Sequence, residues 1–170
     1  VWRVGGLYGT ALERIVDNLE KARPFACTPE QQTVIDRLVE YYRTGDLRTF
    51  DNYSIHWLKD TESLVDFCNG FTESYGDPLG MKASWESIVN FKDLAATGRT
   101  EKLSANAQWF EDNSPVDPRF KKSECKGISA KVITAAILAG DLYPSTAIGI
   151  NLPNSDWVRR EYGSKSVTIG

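Results

Sequence analysis

Residues 65–91 read VDFCNGFTESYGDPLGMKASWESIVNF and decide the fold class. Their side chains alternate in character with a period of two on both sides of the turn-forming segment 77–80, which reads DPLG. Period two is typical of strands because successive side chains point to opposite faces of a sheet. Asp, Pro and Gly together favour a tight turn. The stretch therefore predicts an antiparallel hairpin, which would bring Glu73 and Glu86 close together.

The residues before the hairpin have helical spacing. A capping box is predicted at residues 10–13, and residues 28–31 predict a second helix start that apolar positions continue to Gly45. Residues 46–59 are less periodic and predict only short helical turns. We expect a single fragment, 1–170, with a helical part (1–60) followed by a mixed sheet and helix part (61–170) that carries the site.

The residues after the hairpin predict two helices and three strands. A helix is expected over residues 99–110, and a second short helix over 156–162 before a final strand. Residues 131–139 are compatible with a strand or a helix, and we favour the strand. A further strand is expected at residues 148–152, where Gly149 suggests that another backbone approaches closely. Together these patterns predict an α+β fold in which helices pack on an antiparallel sheet.

Composition excludes several classes of protein. The chain has 170 residues and a net charge of −3, which argues against a nucleic-acid partner because binding to phosphates needs a basic face. No apolar run approaches the roughly 20 residues that cross a bilayer, so no membrane partner is expected. The cysteines, Cys27, Cys68 and Cys125, are odd in number and far apart, which fits reducing conditions and predicts a cytoplasmic protein.

The residues that most often catalyse nucleophilic reactions or bind metals are scarce in this chain. His56 is the single histidine, and a Ser or Cys nucleophile most often uses histidine as its base. We favour a structural role for His56, packed or hydrogen bonded in a helical turn. The spacing of His56 and the three cysteines matches no zinc motif, so we expect no metal site made from this chain alone.

A carboxylate cluster surrounds the predicted hairpin. Glu73, Asp77 and Glu86 are expected to lie there with Tyr75. Asp77 could cap the turn while the glutamates are solvated, or the group could bind a ligand. Glu73 and Glu86 could also act as acid and base in glycoside hydrolysis, if their pKa values differ.

Residues 149–154 read GINLPN and place two asparagines beside a strand end. Each Asn amide offers a donor and an acceptor, so Asn151 and Asn154 could fix a peptide or a sugar in orientation. They could equally form a turn before the next helix.

Two segments carry a family resemblance. Residues 71–80, FTESYGDPLG, continued by KASWE at 82–86, resemble the hairpin segment of the dipeptidyl peptidase III family of zinc metallopeptidases. Residues 147–154, AIGINLPN, resemble the peptide-binding strand of that family. The resemblance extends from the N-terminal helices to Gly170.

The resemblance implies a fold and an activity. Such proteins have two lobes, with a β-barrel in the lower lobe and zinc in a largely helical upper lobe, and they remove dipeptides from the free N-termini of short peptides. The family's zinc motif, His-Glu-x-x-Gly-His, lies downstream of the matched region. The chain is therefore expected to be mostly the lower-lobe portion, with its helices packed on a barrel-like sheet. The resemblance implies zinc in the full-length enzyme but none bound by this chain.

The resemblance also implies roles for individual residues. Glu73 matches the carboxylate that holds the terminal ammonium of the substrate, and Asn151 and Asn154 match asparagines that fix the same end. Tyr75 matches a catalytic tyrosine that assists at the scissile carbonyl. Glu86 matches another substrate-binding glutamate of the cleft.

Gly149 and Ile150 match the strand to which the substrate adds as a further strand. The chain is thus predicted to be the substrate-binding portion of a zinc-dependent dipeptidyl peptidase, inactive alone, with an oligopeptide and the remainder of the parent polypeptide, including its zinc-carrying lobe, as partners. Two alternatives stay open, a stand-alone peptide-binding module and a glycosidase that uses Glu73 and Glu86.

Overall fold

A computed structural model describes residues 2–125 and 128–169. The chain divides into two compact units, Val1–Ser63 and Leu64–Gly170. The first is helical, and the second contains a five-stranded sheet.

The helical unit consists of α1 (Gly9–Ala22), α2 (Pro29–Thr44) and α3 (Leu47–Lys59), with a short 3-10 turn at Arg23–Phe25 between α1 and α2. Apolar side chains from all three helices form its core, because each helix presents one apolar stripe. The most deeply buried of these are Leu12, Val34, Ile35, Leu38, Tyr41, Tyr42, Tyr53 and Trp57.

The predicted start and end of α2 are confirmed. The Thr28 hydroxyl accepts a hydrogen bond from the Gln31 amide at 2.9 Å, and Pro29 occupies the first helical position. Gly45 ends the helix in the left-handed region with φ of 71°, a conformation that glycine adopts without steric cost.

Two predictions for the other helices are wrong. The capping box at Thr10 does not form, because α1 already begins at Gly9 and Thr10 lies inside its first turn. Residues 46–59 form one continuous helix, α3, rather than short turns. The Asp46 carboxylate caps it by accepting from the Arg48 amide at 3.0 Å. Burial of Tyr53 and Trp57 stabilises α3 despite its weak periodicity.

Within residues 64–125 and 128–169, the second unit has five strands, three helices and a 3-10 turn. In chain order these are β1 (Val65–Glu73), β2 (Ser84–Lys92), α4 (Leu94–Ala105), α5 (Ala107–Asn113), the 3-10 turn (Pro118–Phe120), β3 (Ile128–Gly140), β4 (Gly149–Leu152), α6 (Asp156–Tyr162) and β5 (Ser164–Ile169).

The predicted α+β class is confirmed, and so is the hairpin of β1 and β2. The strand order is β1-β2-β3-β5-β4. The sheet is mixed rather than wholly antiparallel, because β3 and β5 pair in parallel, and it is open in the described residues rather than closed like a barrel. A parallel pair needs a long crossover connection. Here β4 and α6 lie in that connection, so that β5 enters the sheet between β3 and β4.

One face of the sheet buries charged side chains. Asp66 on β1 is buried, and its Oδ2 atom lies 3.3 Å from Lys165 Nζ on β5 and 3.8 Å from Lys131 Nζ on β3. The carboxylate therefore joins three strands that are not all neighbours in the sheet.

The three cysteines are free thiols. Cys68 is buried on β1, and its burial, followed by repulsion from Asp66 and Glu86, raises the pKa of its thiol well above the ordinary value. In the described part of the chain, no helix is both long enough and apolar enough to cross a membrane.

Candidate functional site

A cleft of about 460 Å³ lies where the hairpin meets β4. It is formed by the end of β1, by β2, by the loop after β3, and by the segment from β4 into α6. The lining residues are Glu73, Tyr75, Glu86, Asp141, Leu142, Ser145, Ala147, Gly149, Ile150, Asn151, Asn154 and Arg159.

The cleft brings together all seven site residues that the sequence suggested, from two segments of the chain. Three come from the hairpin and four from β4 and the loop after it. The Tyr75 side chain is 94% exposed, so a ligand can reach its hydroxyl. The roles assigned to the seven residues stay predictions.

A β-bulge shapes the hairpin side of the cleft. Phe71 pairs with Trp85 and Glu73 pairs with Ser84, so Thr72 is an extra residue in β1. The Thr72 hydroxyl donates a hydrogen bond to Glu86 Oε1. Its carbonyl accepts one from Asn154 Nδ2 at 3.0 Å. Thr72 thus connects the two segments that line the cleft.

Glu86 is buried, with 3% of its surface exposed. Burial raises the pKa of its carboxyl, and the negative charges of Glu73 and Asp141 raise it further, while the hydrogen bond from Thr72 opposes them. Two nearby carboxylates disfavour each other's ionisation. The site therefore holds a carboxyl that is shifted towards its neutral form.

Asp77 has a structural role in the turn between β1 and β2. Its Oδ2 atom accepts hydrogen bonds from the amides of Lys82 at 2.6 Å and Ala83 at 2.9 Å. These bonds lower the pKa of the Asp77 carboxyl. Its carbonyl also accepts from the Gly80 amide at 2.9 Å, so the turn-capping interpretation of Asp77 is confirmed.

Gly149 permits the close approach of β4 to β5. A Cβ atom at this position would lie 3.0 Å from the carbonyl oxygen of Val167 on β5, so the predicted approach of another backbone is confirmed. β4 is the last strand in the sheet order. Among the described residues, one edge of β4 pairs with β5 and the other edge pairs with no strand.

Residues 2–170 match the sequence model of peptidase family M49. The chain belongs to peptidase family M49. The family resemblance of the hairpin and of residues 147–154 is thereby confirmed.

Two relatives and one solved structure are similar to this chain. The chain is 30% identical to dipeptidyl peptidase 3 of Rattus norvegicus over 165 residues, which cover 97% of this chain and 22% of the rat protein. It is 32% identical to dipeptidyl peptidase 3 of Nematostella vectensis, again covering 97% of this chain and 22% of the relative. The solved structure of DPP III from Caldithrix abyssi shares the fold, with a TM-score of 0.85 and 24% identity over 98% of this chain and 32% of that one.

This M49 chain thus spans about a fifth of the length of the curated relatives it matches, at 22%.

Within residues 2–125 and 128–169, no three His, Cys, Asp or Glu side chains lie close enough together to hold a metal ion. His56 Nδ1 lies 2.6 Å from Glu30 Oε1 in the helical unit, which confirms its structural interpretation.

Sequence reasoning missed two groups of residues at this cleft. Thr72 was overlooked because a bulge is a property of two paired strands, and the alternation of β1 alone does not reveal it. Asp141 and Arg159 line the cleft without belonging to either recognised motif. For Thr72, the only local signal in the sequence was that a polar, β-branched residue stands directly before Glu73.

Proposed function

We propose that this chain is the substrate-holding part of a zinc-dependent dipeptidyl peptidase that releases dipeptides from the N-termini of oligopeptides. The observation that carries the proposal is the convergence of Glu73, Tyr75, Glu86 and the β4 residues on one cleft. Curated relatives named dipeptidyl peptidase 3 support it. We also propose that the parent protein is cytoplasmic.

The carboxylate and amide groups of the cleft suit a free peptide N-terminus. Glu73 can accept a hydrogen bond from an ammonium group, and the side-chain carbonyls of Asn151 and Asn154 can accept two more. A hydrogen bond to a charged group contributes roughly 1.5 to 3 kcal/mol. An acetylated N-terminus lacks both the charge and the extra donors, so it should bind more weakly.

The open edge of β4 suits the backbone of an extended peptide. A peptide that adds as a further strand gains main-chain hydrogen bonds whatever its side chains are. Gly149 and Asn151 are exposed on β4, and Ile150 is half-buried. Broad side-chain specificity is the expected consequence.

Tyr75 is proposed as the catalytic residue that this chain contributes. Its exposed hydroxyl could donate a hydrogen bond to the scissile carbonyl and stabilise the negative charge that develops there. The described residues do not form a set of metal ligands. We therefore propose that the remainder of the polypeptide holds the zinc, and that this chain alone has no peptidase activity.

Membership of a peptidase family favours a peptide over a glycoside as the ligand. A stand-alone peptide-binding module would use the same cleft without catalysis. The two peptide hypotheses differ in one measurement, since the full-length protein should hydrolyse a chromogenic dipeptidyl substrate only if it is the peptidase.

The proposal is tested by Glu73→Gln in the full-length protein. The value of kcat/KM for a peptide with a free amine should fall by roughly 10- to 150-fold, because a hydrogen bond between charged groups is lost. The value for the N-acetylated peptide should change little. Glu101→Gln on the exposed surface of α4 is the matched control and should change neither value. Equal losses on both peptides would contradict the role of Glu73.

A further inference from the structure

We propose that Thr72 is a positioning residue of the cleft, which sets the orientation of Glu86 through its hydroxyl and of Asn154 through its carbonyl. This inference rests on the proposed function, because it assigns Thr72 a place in the same peptide site. The family resemblance assigns no role to Thr72. Its proposed role arises from the bulge in β1.

The sheet register explains how Thr72 reaches Glu86. Gly70 pairs directly with Glu86 across the two strands. Paired residues point to the same face of the sheet, and so does the residue two positions further along, which makes Thr72 a diagonal neighbour of Glu86. Gly70 lies directly opposite Glu86 and has no side chain. It therefore places no atoms between the Thr72 hydroxyl and the Glu86 carboxylate.

The bulge explains how Thr72 also reaches Asn154. The extra residue of a bulge is left out of the ladder of main-chain hydrogen bonds, and the strand bends locally. The Thr72 carbonyl instead accepts from Asn154 Nδ2, a residue 82 positions away in the chain. One residue therefore ties the hairpin to the segment after β4.

These two bonds determine which atoms remain for a ligand. Asn154 uses its amide nitrogen on Thr72, so its Oδ1 atom becomes the acceptor for a peptide ammonium. Glu86 uses Oε1 on the Thr72 hydroxyl, so Oε2 remains for other partners. Without the Thr72 hydroxyl, the Glu86 carboxylate could rotate.

Thr72 also affects the charge of the site. Its hydrogen bond lowers the pKa of Glu86, against the effects of burial and of the carboxylates of Glu73 on β1 and Asp141 after β3. Arg159 on α6 lines the same cleft. Removing the hydroxyl should therefore raise the pKa of Glu86 and keep this carboxyl neutral up to a higher pH.

The test compares Thr72→Val with Thr72→Ser in the full-length protein. Val keeps the β-branched shape and the main-chain carbonyl but removes the hydroxyl, whereas Ser keeps the hydroxyl. With dialanyl p-nitroanilide as substrate, Thr72→Val should raise KM by roughly tenfold and lower kcat less, because the Glu86 carboxyl loses the hydrogen bond that orients it towards the substrate. The acidic limb of the kcat/KM profile should move to higher pH. Thr72→Ser should restore both quantities.

A double-mutant cycle separates positioning from a general structural effect. In a Glu86→Gln background, the change from Thr72 to Val should alter KM by less than about twofold, since the charged partner is gone. A full-sized effect in that background, or no rescue by Ser, would overturn the proposal. So would a Thr72→Val protein with the KM and pH profile of the wild type.

A measurement without substrate keeps this inference distinct from the proposed function. The pH dependence of thermal unfolding, with Glu86→Gln as reference, reports the pKa of Glu86 directly. A raised pKa in Thr72→Val and a restored one in Thr72→Ser support the link between Thr72 and Glu86 even if the protein fails to prefer free amines. An unchanged pKa overturns that link even if the free-amine preference is found.

Discussion

The two compact units differ in what they bury. The unit Val1–Ser63 has an apolar helical core, and its one buried charged residue in the described part of the chain is Asp60. Among its described residues, the unit Leu64–Gly170 buries four charged residues, namely Asp66, Glu86, Lys131 and Lys165. Burying charges costs free energy unless partners compensate. The unit with the cleft therefore buries more charge than the helical unit, and partners such as Lys165 beside Asp66 offset the cost.

The units also differ in exposed apolar surface. From position 2 onward, the helical unit exposes four large apolar side chains, which are Leu7, Tyr8, Phe25 and Leu47. The sheet unit exposes many more, including Tyr75 at 94% and Ile148 at 84% in or beside the cleft. Exposed apolar groups near a cleft are typical of binding surfaces. The helical unit is thus organised around an apolar core, whereas the sheet unit also carries the cleft.

The largest expected effect comes from the buried charges of the sheet unit. Asp66→Asn removes the carboxylate that lies 3.3 Å from Lys165 Nζ and 3.8 Å from Lys131 Nζ. The free energy of unfolding should fall by about 3 to 5 kcal/mol, because both ammonium groups stay buried without this carboxylate. Hydrogen exchange of the β1 and β5 amides would measure the loss.

Asp36→Asn in the helical unit is the matched control. Asp36 pairs with Arg23 at 2.6 Å, and both side chains are about half exposed at 48% and 44%. Exposed ion pairs contribute only about 0 to 1 kcal/mol. The contrast between the units would break down if Asp66→Asn destabilised the protein no more than Asp36→Asn does.

A smaller effect is expected at the start of α2 in the helical unit. Thr28→Ala removes the oxygen that accepts from the Gln31 amide and should cost about 1 kcal/mol. Thr10→Ala, at the capping box that does not form, should stay within about 0.5 kcal/mol of the wild type. Thermal unfolding followed by circular dichroism would compare them, and equal losses would contradict the assignment of Thr28 as the cap.

The smallest expected change concerns Glu86 and depends on pH. The folded-state pKa of Glu86 is raised, so its contribution to stability is complete below the unfolded-state pKa and is lost as the pH rises through the folded-state value. Glu86→Gln stays neutral throughout. This variant should match the wild type in acid and become slightly more stable than the wild type above the folded-state pKa.

Unfolding midpoints measured across the acidic and neutral range would test this prediction for Glu86. Glu101→Gln on α4, which replaces an exposed glutamate in the same way, is the matched control. If the unfolding midpoints of Glu86→Gln followed those of the wild type at every pH, the prediction that Glu86 has a raised pKa in the folded state would be wrong.

Much of the local structure could be predicted because its causes lie within a few residues of each other. The Asp77 turn, the Thr28 cap and the helix at Asp156–Tyr162 each depend on neighbours in the chain. The seven site residues were named from two short motifs, and the structure brings them to one cleft. Their chemical roles stay predictions, to be decided by the experiments on Glu73 and Thr72.

The sequence by itself determined the α+β class, the hairpin and the membership of the site residues in two motifs, because turns, caps and alternation are local properties. Only the tertiary structure decided the parallel pairing of β3 with β5, the continuous helix α3, and the link from Thr72 to both Glu86 and Asn154. These features depend on pairing and burial between residues far apart in the chain, and no local pattern records which distant partner a strand or a side chain meets.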